Sequence, residues 1–258
     1  MIELLVVIFV IGLLLGILIP ALNLAKEQGK DIDCQNNLRQ LALAATSYAD
    51  DHDGHYVFGA KDIYTTNLHR WHGIREDESQ PFDTSKGPLS SYLSGVQLRC
   101  PSNVSYEPLL PRNKEYEDGN GGYGYNLIYI GSQIWKNGYG QEGCESTAKV
   151  SEVERPQETV LFADTAMAKD IDGDFCLIKY PFAEPRFFVI YGQPDQTWSP
   201  YPSLHFRHNA RTNIGWADCH TSDKKRGAYD KPNNDGTISA EYDVGWFEPM
   251  DNSLFDLR

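Results

Sequence analysis

From Leu4 to Ala25 the chain carries 22 consecutive uncharged, mostly apolar residues, and Glu3 stands directly before them. At 1.5 Å per residue a helix of that length spans about 33 Å, the thickness of a bilayer's hydrocarbon core. A run so apolar is either a membrane span or a secretory signal. Signal peptides begin with a basic segment and end in a small-residue cleavage site. Here the start is Met-Ile-Glu, no small-x-small site follows the run at once, and no lipobox cysteine is near. The sequence therefore predicts a retained span. A carboxylate at bilayer depth costs about 2–3 kcal/mol or more, so Glu3 calls for a role that offsets it. Pro20 removes a backbone donor and predicts a kink. Gly12 and Gly16 make a GxxxG face on which another helix can approach closely.

Helical periodicity continues past the apolar run. Cys34, Leu38, Leu41, Ala45 and Tyr48 are spaced 4, 3, 4 and 3, an apolar stripe on one helical face. Lys30, Asp31, Asp33, Arg39 and Gln40 lie off that stripe, and Gly54 supplies a stop. The pattern predicts one helix of about 45–50 residues, half in lipid and half packed on a head domain. Residues 1–50 form the spine, with 2–25 as its transmembrane half, and 51–258 form the head.

Charge bounds the head's partners. The chain carries a formal −13; residues 1–50 hold three basic and five acidic side chains, leaving −11 on residues 51–258. So acidic a body is a poor partner for nucleic acid or anionic lipid, and suits cations or neutral, hydroxyl-rich ligands. The five cysteines, Cys34, Cys100, Cys144, Cys176 and Cys219, form no CxxC pair, which argues against zinc-ribbon and thioredoxin sites. In an exported head they leave room for one or two disulfides, with the connectivity open.

The opening "IELLVVIFVIGLLLGILIPALNLAKEQGK" resembles the prepilin-type N-terminal segment of type IV pilins and type II secretion pseudopilins. On that resemblance Glu3 matches the glutamate that neutralises a neighbouring subunit's N-terminal amine during assembly, and Pro20 matches the helix-kinking proline. It also implies a start slightly upstream of Met1, with a basic leader and a processing glycine there for a prepilin peptidase. Further on, "CQNNLRQLALAATSYADDHDGHYV" resembles bacterial head domains that close on a His-(nine residues)-Asp-Gly element. "VQLRCPS", "GGYGYN", "RPQETVLFADTA" and "FRHNARTNIGWADCH" extend the likeness. His208 and Asp218 stand in the closing element, and Cys219 replaces its glycine. If that glycine holds a positive-φ turn, a cysteine there costs about 1 kcal/mol or more. The resemblance places Cys34 and Cys100 at recurrent cysteine positions. It implies a bridge from helix to head worth about 3–4 kcal/mol; Cys144–Cys176 is the next pairing, and in reduced form all are ordinary buried thiols.

The head reads as α+β, pilin-like, with an antiparallel sheet on the second half of the long helix and long loops. "TVLFAD" and "TNIGWAD" are strands ending in Asp. "FCLIKY" and "RFFVIYG" predict a hairpin around Pro181–Pro185. Segments 100–122 and 192–203 read as ordered loops.

Several constellations suggest chemistry, each beside a plainer account. His52/His55, His69/His72 and His205/His208 share HxxH spacing, yet a zinc site needs three or four converging donors. "DIDGD" offers Asp170, Asp172 and Asp174 for calcium but lacks a position-twelve glutamate. "DKPNNDGTISAEYD" puts Asn233 and Asp235 in EF-type register, with Lys231 and Tyr242 failing at its ends; an Asn-Asp-Gly turn explains it as well. His208 and Asp218 could pair beside a nucleophile such as Ser203, or bond across a hairpin and fix a tight turn. Trp71, Trp135, Trp198 and Trp246 could line a carbohydrate surface or fill the core.

The expectation is a structural subunit and not an enzyme. It anchors in the inner membrane with its head in the periplasm or at the cell surface. It assembles with copies of itself or related subunits and with inner-membrane assembly machinery. No cofactor is required, and calcium is optional. The alternative is a membrane-tethered binding head for carbohydrate or calcium.

Overall fold

One helix, α1 (Ile2–Asp50, 49 residues), runs from the apolar start into the core of the head in the computed structural model. The structure describes residues 2–95, 98–102, 119–171, 173–195 and 197–258. α1 remains a single helix through Pro20. Its two halves meet different surroundings. Large apolar side chains from Ile2 to Leu24 are exposed, whereas Cys34, Leu38, Leu41, Ala42, Ala45 and Ala49 are buried. The 4-3-4-3 stripe is thus the face that packs, with Tyr48 half-buried at its end. Asp31, expected off that face, lies half-buried against the head instead, because Asn213 binds it. The Gly54 N–H closes the helix end on the Ala49 carbonyl at 2.9 Å.

Among the described residues the head holds twelve strands, two short α-helices and three 3-10 turns of helix. In chain order the strands and α-helices are β1 (His69–Arg70), β2 (Gly73–Ile74), β3 (Tyr123–Tyr125), α2 (Ile134–Asn137), α3 (Gln141–Glu145), β4 (Val160–Asp164), β5 (Met167–Ile171) and β6 (Asp174–Ile178). Then come β7 (Val189–Ile190), β8 (Gln193–Pro194), β9 (Leu204–His205), β10 (Arg211–Trp216), β11 (Thr221–Lys225) and β12 (Val244–Gly245). The main sheet is antiparallel in the order β11-β10-β4-β3, and the other strands form two-stranded pairs. This is an α+β, pilin-like architecture: a long apolar N-terminal helix against antiparallel sheets.

β4 and β10 are the expected strands. β4 is buried at every position, as a central strand covered on both faces should be. β10 lies across the buried half of α1. At Gly215 a Cβ would sit 3.1 Å from the Leu38 carbonyl oxygen, so glycine lets helix and strand touch. Behind the sheet the ring of Phe162 stacks on Tyr125 (centroids 4.8 Å apart) and meets Trp71 edge-on at 5.1 Å.

The hairpin expected around Pro181–Pro185 does not form. "FCLI" pairs backwards with β5, and β7 pairs with β8. The local signal for the real hairpin is the Asp-Gly between Ile171 and Asp174, a two-residue turn signature. Gly173 takes φ +93° there, while the prolines at 181 and 185 deny ladder donors. Of the two expected loops, residues 103–118 and 196 lie outside the described residues.

Cys219 has φ +69°, a left-handed conformation, in the turn from β10 to β11. Its N–H bonds the Trp216 carbonyl at 2.9 Å, and its thiol lies 3.4 Å from Thr46 Oγ1 on α1. A glycine there would relieve the Cβ strain at the loss of that weak contact and of the thiol's part-buried packing on the core. Cys219→Gly should therefore raise head stability by about 0.5–1 kcal/mol in denaturant titrations; a loss would show that the thiol contact outweighs the strain.

Candidate functional site

Four chain segments converge beneath the buried half of α1, and each brings a polar group. β4 ends in Asp164, which is fully buried. Its Oδ1 accepts from Arg207 Nη2 at 2.7 Å, and its Oδ2 accepts from the Asn213 backbone N–H at 2.9 Å. His208 Nε2 lies 3.3 Å from the same Oδ2 and 3.5 Å from Cys100 Sγ. Cys100 is bonded to Cys34 of α1 in a disulfide. Arg207 also donates to the Gly122 and Thr165 carbonyls.

α1 supplies three contacts from one face, spaced three residues apart. Asp31 Oδ1 accepts from Asn213 Nδ2 at 2.7 Å and faces His208 Nδ1 at 3.6 Å. Cys34 makes the disulfide. Asn37 Nδ2 reaches the Arg99 carbonyl and the Tyr123 hydroxyl, each at 3.0 Å. Burial opposes ionisation of Asp164, but the Arg207 guanidinium and the His208 ring outweigh it, and its carboxyl sits below the usual range. Beside it, burial and then the Arg207 charge push His205 down to about 3.

His208 and Asp218 do not pair. They stand at opposite ends of β10, whose six residues span roughly 20 Å. Asp218 instead bonds the backbone and ring of His220 two residues on, at 3.1 and 2.5 Å. The tight turn is real, and Cys219 sits in it, but His208 belongs to the buried node. Ser203 is not beside either residue in a triad; its Oγ accepts the Glu184 N–H at 2.8 Å.

The histidines of the HxxH pairs take other partners, although His52 and His55 line one groove. His52 stacks on Tyr48, His55 Nδ1 meets the Thr147 carbonyl, and His69 Nδ1 meets Asp62 at 2.9 Å. His72 is buried between Trp71 and Phe82. The two calcium candidates meet one another: the Asp170 N–H donates to Asp235 Oδ2 at 3.2 Å. Their oxygens serve turns, however. Asp170 Oδ1 caps Gly173, Asp235 Oδ1 takes the Thr237 N–H and hydroxyl, and Asn233 Nδ2 binds Ser239. Asp174 pairs opposite Ile171 in the hairpin, and Asp172 lies outside the described residues. Of the four tryptophans considered for a carbohydrate surface, Trp71 and Trp246 are core, Trp135 is half-buried and Trp198 is exposed.

Glu3, Gly12, Gly16 and Pro20 all lie on the exposed half of α1, and a Cβ at either glycine would meet nothing within 4 Å. That face is open to another helix. At the C-terminal end of α1, on the head, a groove of about 490 Å³ is lined by Tyr48, His52, Tyr56, Phe58, Gln133 and Glu145 among others.

Asp31, Asn37, Asp164, Arg207 and Asn213 were not singled out from sequence. One signal was there: Asp164 closes a run of buried strand residues, where an acid must find a partner. Comparison with family models, curated proteins and solved structures finds no match to this chain.

Glu184 is a second buried acid. Tyr180 donates to its Oε1 at 2.7 Å, and Oε2 has no hydrogen-bond partner among the described residues. Burial raises its pKa to about 7 against the Tyr180 bond. A raised carboxyl stabilises the fold below its unfolded value, near 4.5, and that contribution is lost as pH rises through 7. Relative to Glu184→Gln, the wild type should therefore lose roughly 3 kcal/mol between pH 4.5 and 7.5. Parallel urea titrations across that range check this, and parallel pH curves would refute it.

Proposed function

We propose that this chain is a pilin-like or pseudopilin-like structural subunit. It is anchored by residues 2–25 and assembles through α1 with copies of itself or related subunits. The observation that carries this reading is the divided surface of α1. From Ile2 to Leu24 the large apolar side chains are exposed, with a mean hydropathy of 3.1 over the best 18-residue window. Each such side chain gains about 1.5–3 kcal/mol on leaving water. Summed over the exposed run, that is tens of kcal/mol, so lipid or other helices must cover it. A signal sequence would meet the same need. A retained anchor is favoured because α1 continues without a break from the apolar run into the head's core.

In this reading Glu3 enters the lipid boundary opposite the amino terminus of an adjacent subunit, and each charge offsets the other's desolvation. Gly12 and Gly16 let neighbouring spines approach, and the acidic heads form the outer surface. The head lies outside the cytoplasm, where a disulfide such as Cys34–Cys100 can form. Assembly machinery in the inner membrane and a prepilin peptidase are the partners this reading calls for. The reading includes no catalytic step.

A second reading rests on the groove at the end of α1. Tyr48, Tyr56 and Phe58, with two histidines, Gln133 and Glu145, suit a hydroxyl-rich ligand such as a carbohydrate. In that case the protein is a tethered binding head.

The discriminating variant is Glu3→Ala in the native host. Assembly should be lost from sheared surface or membrane fractions, while the head keeps its protease resistance. Normal filaments from the Ala variant would overturn the role given to Glu3. Dispersed monomers in the wild type, together with a ligand-dependent rise in Tm, would favour the tethered binding head.

A further inference from the structure

We propose that Cys34, Cys100, His208 and Asp164 are the donors of a tetrahedral metal site of the Zn(II) class, formed when the Cys34–Cys100 disulfide is reduced. One ligand atom from each of the four lies within 4.8 Å of all the others, and all four residues are buried. Zinc bonds of about 2.0–2.2 Å to N or O and 2.3 Å to S give tetrahedral edges of roughly 3.4 Å for N···O and 3.6 Å for N···S. The corresponding distances here are 3.3 Å from His208 Nε2 to Asp164 Oδ2 and 3.5 Å from that nitrogen to Cys100 Sγ. Two edges of the polyhedron already stand. Cleaving the sulfur–sulfur bond frees the remaining donors to spread to the separation a metal dithiolate needs.

The surroundings are those of a metal centre's outer shell. A ligating histidine commonly gives its other ring N–H to a carboxylate, which fixes tautomer and orientation. His208 Nδ1 faces Asp31 Oδ1 at 3.6 Å, and Asn213 Nδ2 holds that oxygen at 2.7 Å. Asp164 keeps one oxygen on Arg207, and the other accepts from the Asn213 backbone N–H and faces His208 Nε2. Apart from the part-exposed Asp31, which adds the same charge to both states, charge closes in each. A divalent ion with two thiolates and a carboxylate sums to −1, which the Arg207 guanidinium cancels. In the disulfide state Asp164 and Arg207 cancel alone. An unpaired charge buried here would cost several kcal/mol, so this balance matters. The thiolates select a soft or borderline ion over calcium or magnesium.

The chemistry balances with a dithiol as reductant. Two electrons and two protons pass from the dithiol to the Cys34–Cys100 bond, which yields two protein thiols and the reductant's own disulfide. The metal ion then displaces one proton from each thiol to solvent. His208 binds through Nε2 with its ring proton on Nδ1, toward Asp31. The oxidised node ties α1 to the segment carrying Cys100. The metal node ties in β4 and the turn before β10 as well.

The test uses the full chain in detergent micelles. It is reduced anaerobically with a dithiol, desalted, and titrated first with Co(II) and then with Zn(II). The expected result is one equivalent of Co(II) per chain, with thiolate charge-transfer bands and the intense d–d bands of a tetrahedral site. Zn(II) should displace it, and the oxidised chain should take up neither metal. The Cys34→Ser/Cys100→Ser double variant keeps Cys144, Cys176 and Cys219 and should bind none. Asp31→Asn, which leaves all four donors in place, should weaken Zn(II) binding about 10–100-fold. The proposal is overturned if the reduced chain takes up no stoichiometric metal, whether folded or unfolded. It is equally overturned if the double variant keeps the bands, or if Asp31→Asn binds as tightly as wild type.

Discussion

A single helix that must satisfy two solvents organises this molecule. α1 offers apolar side chains all round its first half and only one apolar stripe on its second. Among the described residues nothing in the head covers the first half, and β10 covers the stripe of the second. The change falls at Glu27 and Lys30, which bond each other at 2.7 Å on the exposed surface. The next residue, Asp31, makes the first hydrogen bond with the head. The helix therefore crosses from one environment to the other within about two turns, roughly 10 Å of rise.

Apolar packing alone would not fix α1 on the sheet. Leu38, Leu41, Ala42 and Ala45 form a smooth surface over which a helix could rotate or slide by a turn at modest cost. The polar node removes that freedom. Asp31, Cys34 and Asn37 each bind specific groups in the head, and a shift of the helix by a turn would break all of these contacts. Asp164 and Arg207 are expensive groups to bury, and well-packed apolar residues of the same size can match such a pair in stability. What the node supplies is register: it lets α1 sit in one place, at the one position where Gly215 admits close contact.

Much of this was legible in the amino-acid sequence, for reasons that differ by element. The long helix showed in an unbroken apolar run followed by a 4-3-4-3 stripe, because both signals are local. β4 and β10 showed in their apolar runs. The β5–β6 hairpin was missed although its Asp-Gly turn lay in plain view, since the same carboxylates invite a calcium interpretation. The node was missed for another reason. Its members come from residues 31–37, 100, 122–123, 164 and 207–213, and only the fold brings them together. His208 was noticed but matched with Asp218, its neighbour in sequence, when a strand's length separates the two. Its true partners stand on β4 and α1, reached across the sheet.

The node's position along α1 matters as much as its composition. Some 30 residues of helix, about 45 Å, extend beyond it without support from the head. Any sideways force on that free length acts as a lever on the first contacts it reaches, and those contacts are Asp31, Cys34 and Asn37. Hydrogen bonds and apolar packing resist sliding well but peeling poorly, since a peeling force breaks them one at a time. A covalent bond at the second contact changes that: the helix cannot lift from β10 until the Cys34–Cys100 bond itself is broken. The strongest link therefore stands where the leverage is greatest, and the head keeps its orientation on the spine whatever covers the apolar half.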